Sequence, residues 1–222
     1  MAGNPLIFRD RVDAGQQLAV ALPPLDPDET VVLALPRGGV PVAAEICEAH
    51  NLPLDLILVR KIGTPGHPEL ALGAVTDGAT PRFVVNDAIA RHHRLSRAEV
   101  EAMGRDLLPE IERRRKTYLE GRAPLPIKGK TVVVVDDGVA TGATLRASLA
   151  ALRGEEPARI IVALPVGPTS LERDLDGLVD TVICLSDLQF FGAVGGAYRS
   201  FPQVDDATVR QTVDRFAPHG AA

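Results

Sequence analysis

Cysteine is scarce in this 222-residue chain, long apolar runs are missing, and charge of either sign is close to balance. Cys47 and Cys184 are too few for a disulfide framework, and they lack the Cys-x-x-Cys or Cys/His spacing that holds zinc. A reducing, cytoplasmic setting is therefore expected. No apolar stretch reaches the roughly 18 residues that read as a membrane span. Arg9, Asp10, Arg11 and Asp13 interrupt the N-terminal region before the apolar core of a secretory signal can develop. Neither a membrane partner nor export is expected. The 24 basic side chains are outnumbered by 29 acidic ones, giving a net charge of −5. A dedicated nucleic-acid binder needs clustered Lys and Arg to neutralise phosphates, so no nucleic-acid partner is expected. A small anionic ligand stays compatible, because a local pocket need not follow the net charge.

What is present is a rhythm. At 45% hydrophobic residues, a chain of this length can bury an apolar core as one domain covering residues 1–222. Val31 to Leu35, Leu54 to Val59, Phe83 to Val85, Thr131 to Val135, Arg159 to Leu164 and Thr181 to Leu185 read as strands. Several are apolar throughout, as parallel strands covered on both faces are. Val40 to Ala49, Thr144 to Arg153 and Thr169 to Leu175 read as helices between them. The alternation predicts an α/β fold with a doubly wound, mainly parallel sheet.

A polar insertion over about 87–129 departs from that rhythm. It reads as helical from Ser96 to Leu119, with Ser96 and Glu99 as a capping box. Leu107, Leu108, Ile111 and Tyr118 form a stripe that can be buried. The run Arg113, Arg114, Arg115, Lys116 reads as a solvated helix face, with an anion-attracting rim as the sharper alternative.

The strongest local signal is Thr131 to Thr144, TVVVVDDGVATGAT, followed by a helical segment. A buried strand ends in Asp136 and Asp137, and a turn of small residues leads into the helix. Glycines let backbone fold closely around a ligand, and amides at a helix N-terminus point at an anion. Such a turn binds phosphate, Thr141 and Thr144 add hydroxyls, and the two carboxylates suit a sugar diol or a metal-bound polyphosphate. Helix capping rationalises one carboxylate, not an adjacent pair plus Thr-Gly-x-Thr. Gly129-Lys130-Thr131 is not a P-loop, since Pro124 stands where its first glycine belongs and a strand follows. Gly138 to Gly142 does not satisfy Gly-x-Gly-x-x-Gly either.

Val132 to Thr144 resembles the thirteen-residue signature of the type I phosphoribosyltransferases. The resemblance implies binding of phosphoribosyl diphosphate, with Asp136 and Asp137 on the ribose hydroxyls. Gly138, Val139, Ala140, Thr141, Gly142, Ala143 and Thr144 would cradle the 5-phosphate. Leu35-Pro-Arg-Gly-Gly-Val40 lies where the family has its diphosphate loop. Gly38 and Gly39 allow amides to turn inward, and Arg37 offers a charged fork to phosphate oxygens. By the same resemblance a non-proline cis peptide is expected near Arg37-Gly38. Arg60 and Lys61, in Val59-Arg-Lys-Ile-Gly-Thr-Pro-Gly66, resemble a basic pair that contacts diphosphate, with surface exposure as the alternative. The Gly, Pro and His content up to Pro68 suits a mobile lid. His67, His92 and His93 show no metal-ligand pattern.

By family analogy a hood over about 186–204 covers the acceptor, with Leu188, Phe190, Phe191 and also Tyr198 as stacking candidates. Hydrophobic packing explains that cluster equally well. Ala140 stands where hypoxanthine and guanine members carry an aspartate, which makes a 6-oxopurine acceptor doubtful. Together with Phe8-Arg-Asp-Arg11 and the insertion, these segments look like a bacterial group of phosphoribosyltransferases with unassigned acceptors. The resemblance implies Mg²⁺-dependent transfer of a 5-phosphoribosyl group to a small nitrogenous acceptor, with diphosphate released. The ion would meet Asp136 and Asp137 mostly through substrate and water. A non-catalytic regulator that senses phosphoribosyl diphosphate is the alternative. A kinase or phosphohydrolase would need a P-loop or a nucleophile, and neither is visible. A homodimer through the first helix is expected by fold-level analogy alone.

Overall fold

Why the strand segments show no alternation of apolar and polar residues is answered by burial. In the computed structural model, which describes residues 7–76, 81–120 and 122–217, the chain runs α1 (Arg11–Ala21), β1 (Thr30–Ala34), α2 (Gly39–His50), β2 (Leu54–Leu56), β3 (Val59–Thr64), β4 (His67–Thr76), β5 (Arg82–Val85) and α3 (Asp87–His92). It continues through α4 (Arg97–Arg105), α5 (Leu108–Leu119), β6 (Thr131–Val135), α6 (Ala143–Arg153), β7 (Arg159–Gly167), α7 (Leu171–Asp174), β8 (Thr181–Asp187) and α8 (Asp206–Arg215). Short 3-10 turns at Leu188–Phe190 and Val194–Ala197 precede α8. Two compact units result: Met1–Leu56 with Leu125–Gly142 and Glu156–Ala222, and Ile57–Pro124 with Ala143–Glu155.

The first unit holds a five-stranded sheet in the order β2-β1-β6-β7-β8, with every pairing parallel. All of β1 is buried, and in β6 and β7 only the first residues, Thr131 and Arg159, are not. Burial of successive residues means both faces are covered, which is why these strands read as continuous apolar runs. The chain moves from β1 outward to β2, then returns to β6 on the other side of β1, so its direction reverses between β1 and β6. Helix α2 packs on β1, and α1 crosses α2 so closely at Gly15 that a Cβ there would lie 2.5 Å from the Val42 carbonyl oxygen. Asp10 caps α1 by accepting from the Asp13 amide at 2.9 Å, and Asp205 caps α8 through the Thr208 amide at 2.7 Å. Cys47 is buried in α2, and that burial pushes its thiol far up. The Cys184 thiol on β8 donates to the Ser186 carbonyl and is pushed up to about 11, chiefly by burial of the group.

The second unit is built on an antiparallel sheet in the order β3-β4-β5. Ile62, Leu72, Ala90 and Val100 form its buried centre, with Leu95, Met103 and Leu107 packed against them. The capping box of α4 is present, with the Ser96 amide donating to Glu99 at 2.7 Å and the Glu99 amide to the Ser96 hydroxyl at 3.3 Å.

Three expectations change. The apolar segment from Leu54 to Val59 is two strands, β2 and β3, that belong to different units. An unbroken apolar run carries no mark of where its pairing partner changes. Phe83 to Val85 pairs in the antiparallel sheet, not the parallel one. The Gly- and Pro-containing stretch expected as a mobile lid forms the turn and flanks of the β3/β4 pair, with Gly66 at φ +78° in the turn. The helix expected from Ser96 to Leu119 breaks at Asp106 and Leu107, where Pro109 fits the first turn of a new helix and not the interior of a continuing one.

Candidate functional site

In open α/β sheets, ligand crevices form outside the carboxyl ends of the strands, where the chain reverses direction. Here that place lies between the loops leaving β1 and β6. The Leu35 amide donates to the Val135 carbonyl at 2.9 Å, tying the first loop to the end of β6. The Pro36–Arg37 bond is cis, one bond ahead of the expected Arg37-Gly38 position. In the second loop the Val139 amide donates to the Val166 carbonyl at 3.0 Å. Gly138 has φ +144°, and a Cβ on it would lie 2.6 Å from Val166 and 2.7 Å from Val194. Gly142 has φ +69°. Both positions need the freedom of glycine.

The two loops meet glycine against aspartate. A Cβ on Gly38 would sit 2.0 Å from Asp137 Oδ2, and one on Gly39 would sit 2.6 Å from the Val135 carbonyl oxygen and 2.8 Å from the Asp136 Cα. Each glycine of Pro-Arg-Gly-Gly therefore makes its own approach.

Asp136 Oδ1 accepts from the Asp137 amide at 2.9 Å. Burial first, then the neighbouring Asp137 charge, push the Asp136 carboxyl well above the usual carboxylate range, and Arg11 partly opposes them. Asp137 Oδ2 accepts from Arg11 Nε at 2.8 Å and lies 2.8 Å from Arg11 Nη2. Arg11 Nη1 donates to the Pro202 carbonyl at 2.7 Å, and the guanidinium stacks 3.8 Å from the Phe201 ring centroid. The Tyr198 hydroxyl donates to the Asp137 carbonyl at 2.5 Å, and its ring stacks on Phe201 at 4.7 Å. Burial, and then the Asp137 charge, push the Tyr198 hydroxyl far up, so it remains a donor.

Of the other expected residues, Arg37 is part-exposed, with Nη1 3.4 Å from Asp206 Oδ1 on α8. Ala140, Thr141 and Thr144 are exposed, and Ala143 and Thr144 open α6 in the second unit. Arg60 and Lys61 lie on β3 of the second unit, where Arg60 is 4.0 Å from Glu110. Glu110 also accepts from Arg113 at 2.7 Å and Arg114 at 3.1 Å, which hold its carboxyl down at about 2. Half of the basic run of α5 is thus spent on its own helix. Leu188 and Phe191 pack on the buried group of Phe8, Ala14, Val166, Ala197 and Tyr198, whereas Phe190 is 50% exposed. Among the described residues, no group of three His, Cys, Asp or Glu is placed to hold a metal ion.

Sequence reasoning did not assign Arg11. The only trace was its place in Phe8-Arg-Asp-Arg11, and nothing in the sequence sets it beside a residue 126 positions away. Tyr198 was singled out as an aromatic face, and its structural partner is instead the Asp137 backbone.

Fold and site define an α/β protein with two adjacent carboxylates set against a glycine loop at the reversal point of a parallel sheet. The chain belongs to the phosphoribosyl transferase family, whose domain model matches residues 24–199. It is 42% identical over 219 residues to "Putative phosphoribosyl transferase Rv0571c" of Mycobacterium tuberculosis H37Rv and to its counterpart in strain CDC 1551, covering 97% of this chain. The chain spans 49% of the length of each of these relatives. The crystal structure of TT1426 from Thermus thermophilus is similar at 39% identity and a TM-score of 0.85, covering 96% of this chain and 100% of that one.

Proposed function

We propose that this chain transfers a 5-phosphoribosyl group from phosphoribosyl diphosphate to a small nitrogenous acceptor, releasing diphosphate. The observation that carries the reading is the meeting of two loops, where Asp136 and Asp137 stand at the end of β6 against the glycine backbone of the β1 loop. Asp137 Oδ2 is held by Arg11, and the Asp136 and Asp137 carboxyls together are assigned to the ribose hydroxyls. The loop Gly138 to Thr144 cradles the 5-phosphate, with the exposed Thr141 and Thr144 hydroxyls as donors. As the bond from C1 to oxygen breaks, the sugar gains positive character, which the two adjacent carboxylates stabilise. Arg37, Arg60 and Lys61 are assigned to the departing diphosphate, Arg37 from the β1 loop and the other two by resemblance. Leu188, Phe190 and Phe191 are assigned to the acceptor side, with Phe190 the exposed ring.

Mg²⁺ fits this donor set as an ion held chiefly by substrate oxygens and water. No three-ligand protein cluster lies among the described residues, so substrate oxygens and water would supply most of its ligands. When bound, the ion supplies neutralisation of the polyphosphate charge. Asp136 and Asp137 are the residues near it. Two free thiols suit the cytoplasmic, reducing setting of this reading. The homodimer remains a proposal from fold-level analogy alone, which light scattering tests.

The test is diphosphate release from phosphoribosyl diphosphate, screened against purines, pyrimidines and nicotinamide-like bases with and without Mg²⁺. Release with one class of base, lost on removing Mg²⁺, is expected. Donor binding without release for any base would assign the chain as a sensing regulator, and no donor binding would overturn the reading.

A further inference from the structure

We infer that Arg11 is a positioning residue of the donor site, fixing the Asp137 carboxylate for the ribose while Tyr198 fixes the Asp137 backbone. The inference rests on the donor-binding reading above and adds residues from outside the signature loops. Every guanidinium nitrogen of Arg11 is engaged, two on Asp137 Oδ2 and one on the Pro202 carbonyl, and the Phe201 ring covers its face. Its side chain is only 10% exposed. With three of its five N–H groups committed in this way and little of the side chain exposed, it acts through Asp137.

The arrangement is over-determined at one residue. Asp137 is held at its carboxylate by α1, at its carbonyl by Tyr198, and against the Gly38 backbone by contact. The N-terminal segment is itself fastened to the same place: the Phe8 amide donates to the Ala197 carbonyl and the Arg199 amide to the Phe8 carbonyl, both at 2.9 Å. Phe8 and Tyr198 rings lie 5.5 Å apart. A guanidinium that turns two nitrogens onto one carboxylate oxygen from a stacked slot cannot be replaced by the single point charge of lysine without losing direction. Removing one partner of a part-buried charge pair leaves the other free to choose a new rotamer, and a carboxylate that must meet a diol then binds it less often.

The test is a double-mutant cycle read by calorimetry of phosphoribosyl diphosphate with Mg²⁺, using the full chain. Arg11→Met is expected to weaken donor binding roughly 10- to 100-fold, about 1.4–2.8 kcal/mol at 1.4 kcal/mol per decade. Arg11→Lys is expected to fall between it and the wild type. Asp137→Asn is expected to weaken binding at least as much, and Arg11→Met added to Asp137→Asn is expected to cost little more, because both act through one carboxylate. Far-UV circular dichroism identifies the folded variants, and if Arg11→Met does not fold, Arg11→Lys against Asp137→Asn completes the cycle. Additive losses, or wild-type affinity in a folded Arg11 variant, would overturn the positioning role alone. No heat with the wild-type chain would overturn the donor-binding reading and this role with it.

Discussion

Replacing Gly38 by alanine isolates the contact between the two loops. Gly38 has φ −65° and ψ −36°, a helical conformation that alanine adopts freely, so the backbone offers no resistance. All of the effect comes from the added Cβ, which would lie 2.0 Å from Asp137 Oδ2 and 2.4 Å from its Cγ. To reach ordinary contact the carboxylate has to retreat by more than about 1 Å, which takes it out of hydrogen-bond range of Arg11 in its present geometry. Hydrogen bonds to charged groups contribute about 1.5–3 kcal/mol each. Loss of one such bond, at about 1.4 kcal/mol per decade, corresponds to a donor affinity weakened roughly 10- to 100-fold. Calorimetry with phosphoribosyl diphosphate and Mg²⁺, run beside thermal unfolding, reads it directly. Gly39→Ala is the companion, because its Cβ meets main-chain atoms of Val135 and Asp136 that cannot swing aside. That variant is expected to lose unfolding temperature first. A Gly38→Ala chain that binds the donor within twofold of wild type would refute the reasoning.

Three further outcomes follow from the same geometry. Asp136 holds its proton to higher pH in the folded chain than in the unfolded one, so its ionisation at neutral pH opposes folding, and stability rises as pH falls from the raised value toward the ordinary carboxylate range. Asp136→Asn, which keeps the acceptor for the Asp137 amide, is expected to unfold at a higher temperature than wild type at pH 7–8, with the difference gone by about pH 4; a pH-independent difference would contradict this. Arg37→Ala is expected to leave unfolding temperature nearly unchanged, since its 3.4 Å pair with Asp206 is solvent-exposed, while weakening inhibition by diphosphate about tenfold; unchanged inhibition would remove Arg37 from the leaving-group side. Phe191→Ala is expected to destabilise by about 2–4 kcal/mol through its packing on the Phe8–Tyr198 group, whereas Phe190→Ala is expected to alter the acceptor KM at unchanged stability; chemical denaturation and steady-state kinetics separate the two.

The parallel sheet was legible because β1, β6 and β7 are buried on both faces and so appear as nearly uninterrupted apolar runs. The acidic pair and its glycine turn were legible because no ordinary helix cap asks for that combination. The antiparallel sheet was not, since Val59 to Val85 mixes Gly, Pro and charged residues and its two register shifts, around Gly63, blur any period of two. Helices α1 and α8 also escaped notice. In α1, charged residues and a glycine interrupt the apolar stripe, and that glycine is there for a close crossing with α2 that only the folded chain reveals. Arg11 shows the same limit at the site. Its chemistry is spelled in the sequence, but its partner is set by topology.

The distribution of sulfur has a practical consequence. Cys47 is enclosed in α2, whereas Cys184 is exposed on β8 and is the native thiol that a labelling reagent would meet. With Cys184 replaced by serine, a single cysteine engineered on the exposed surface near Phe190 can carry a fluorophore selectively, and the Cys184→Ser chain serves as the unlabelled blank for following ligand-induced changes around the 188–190 turn in real time.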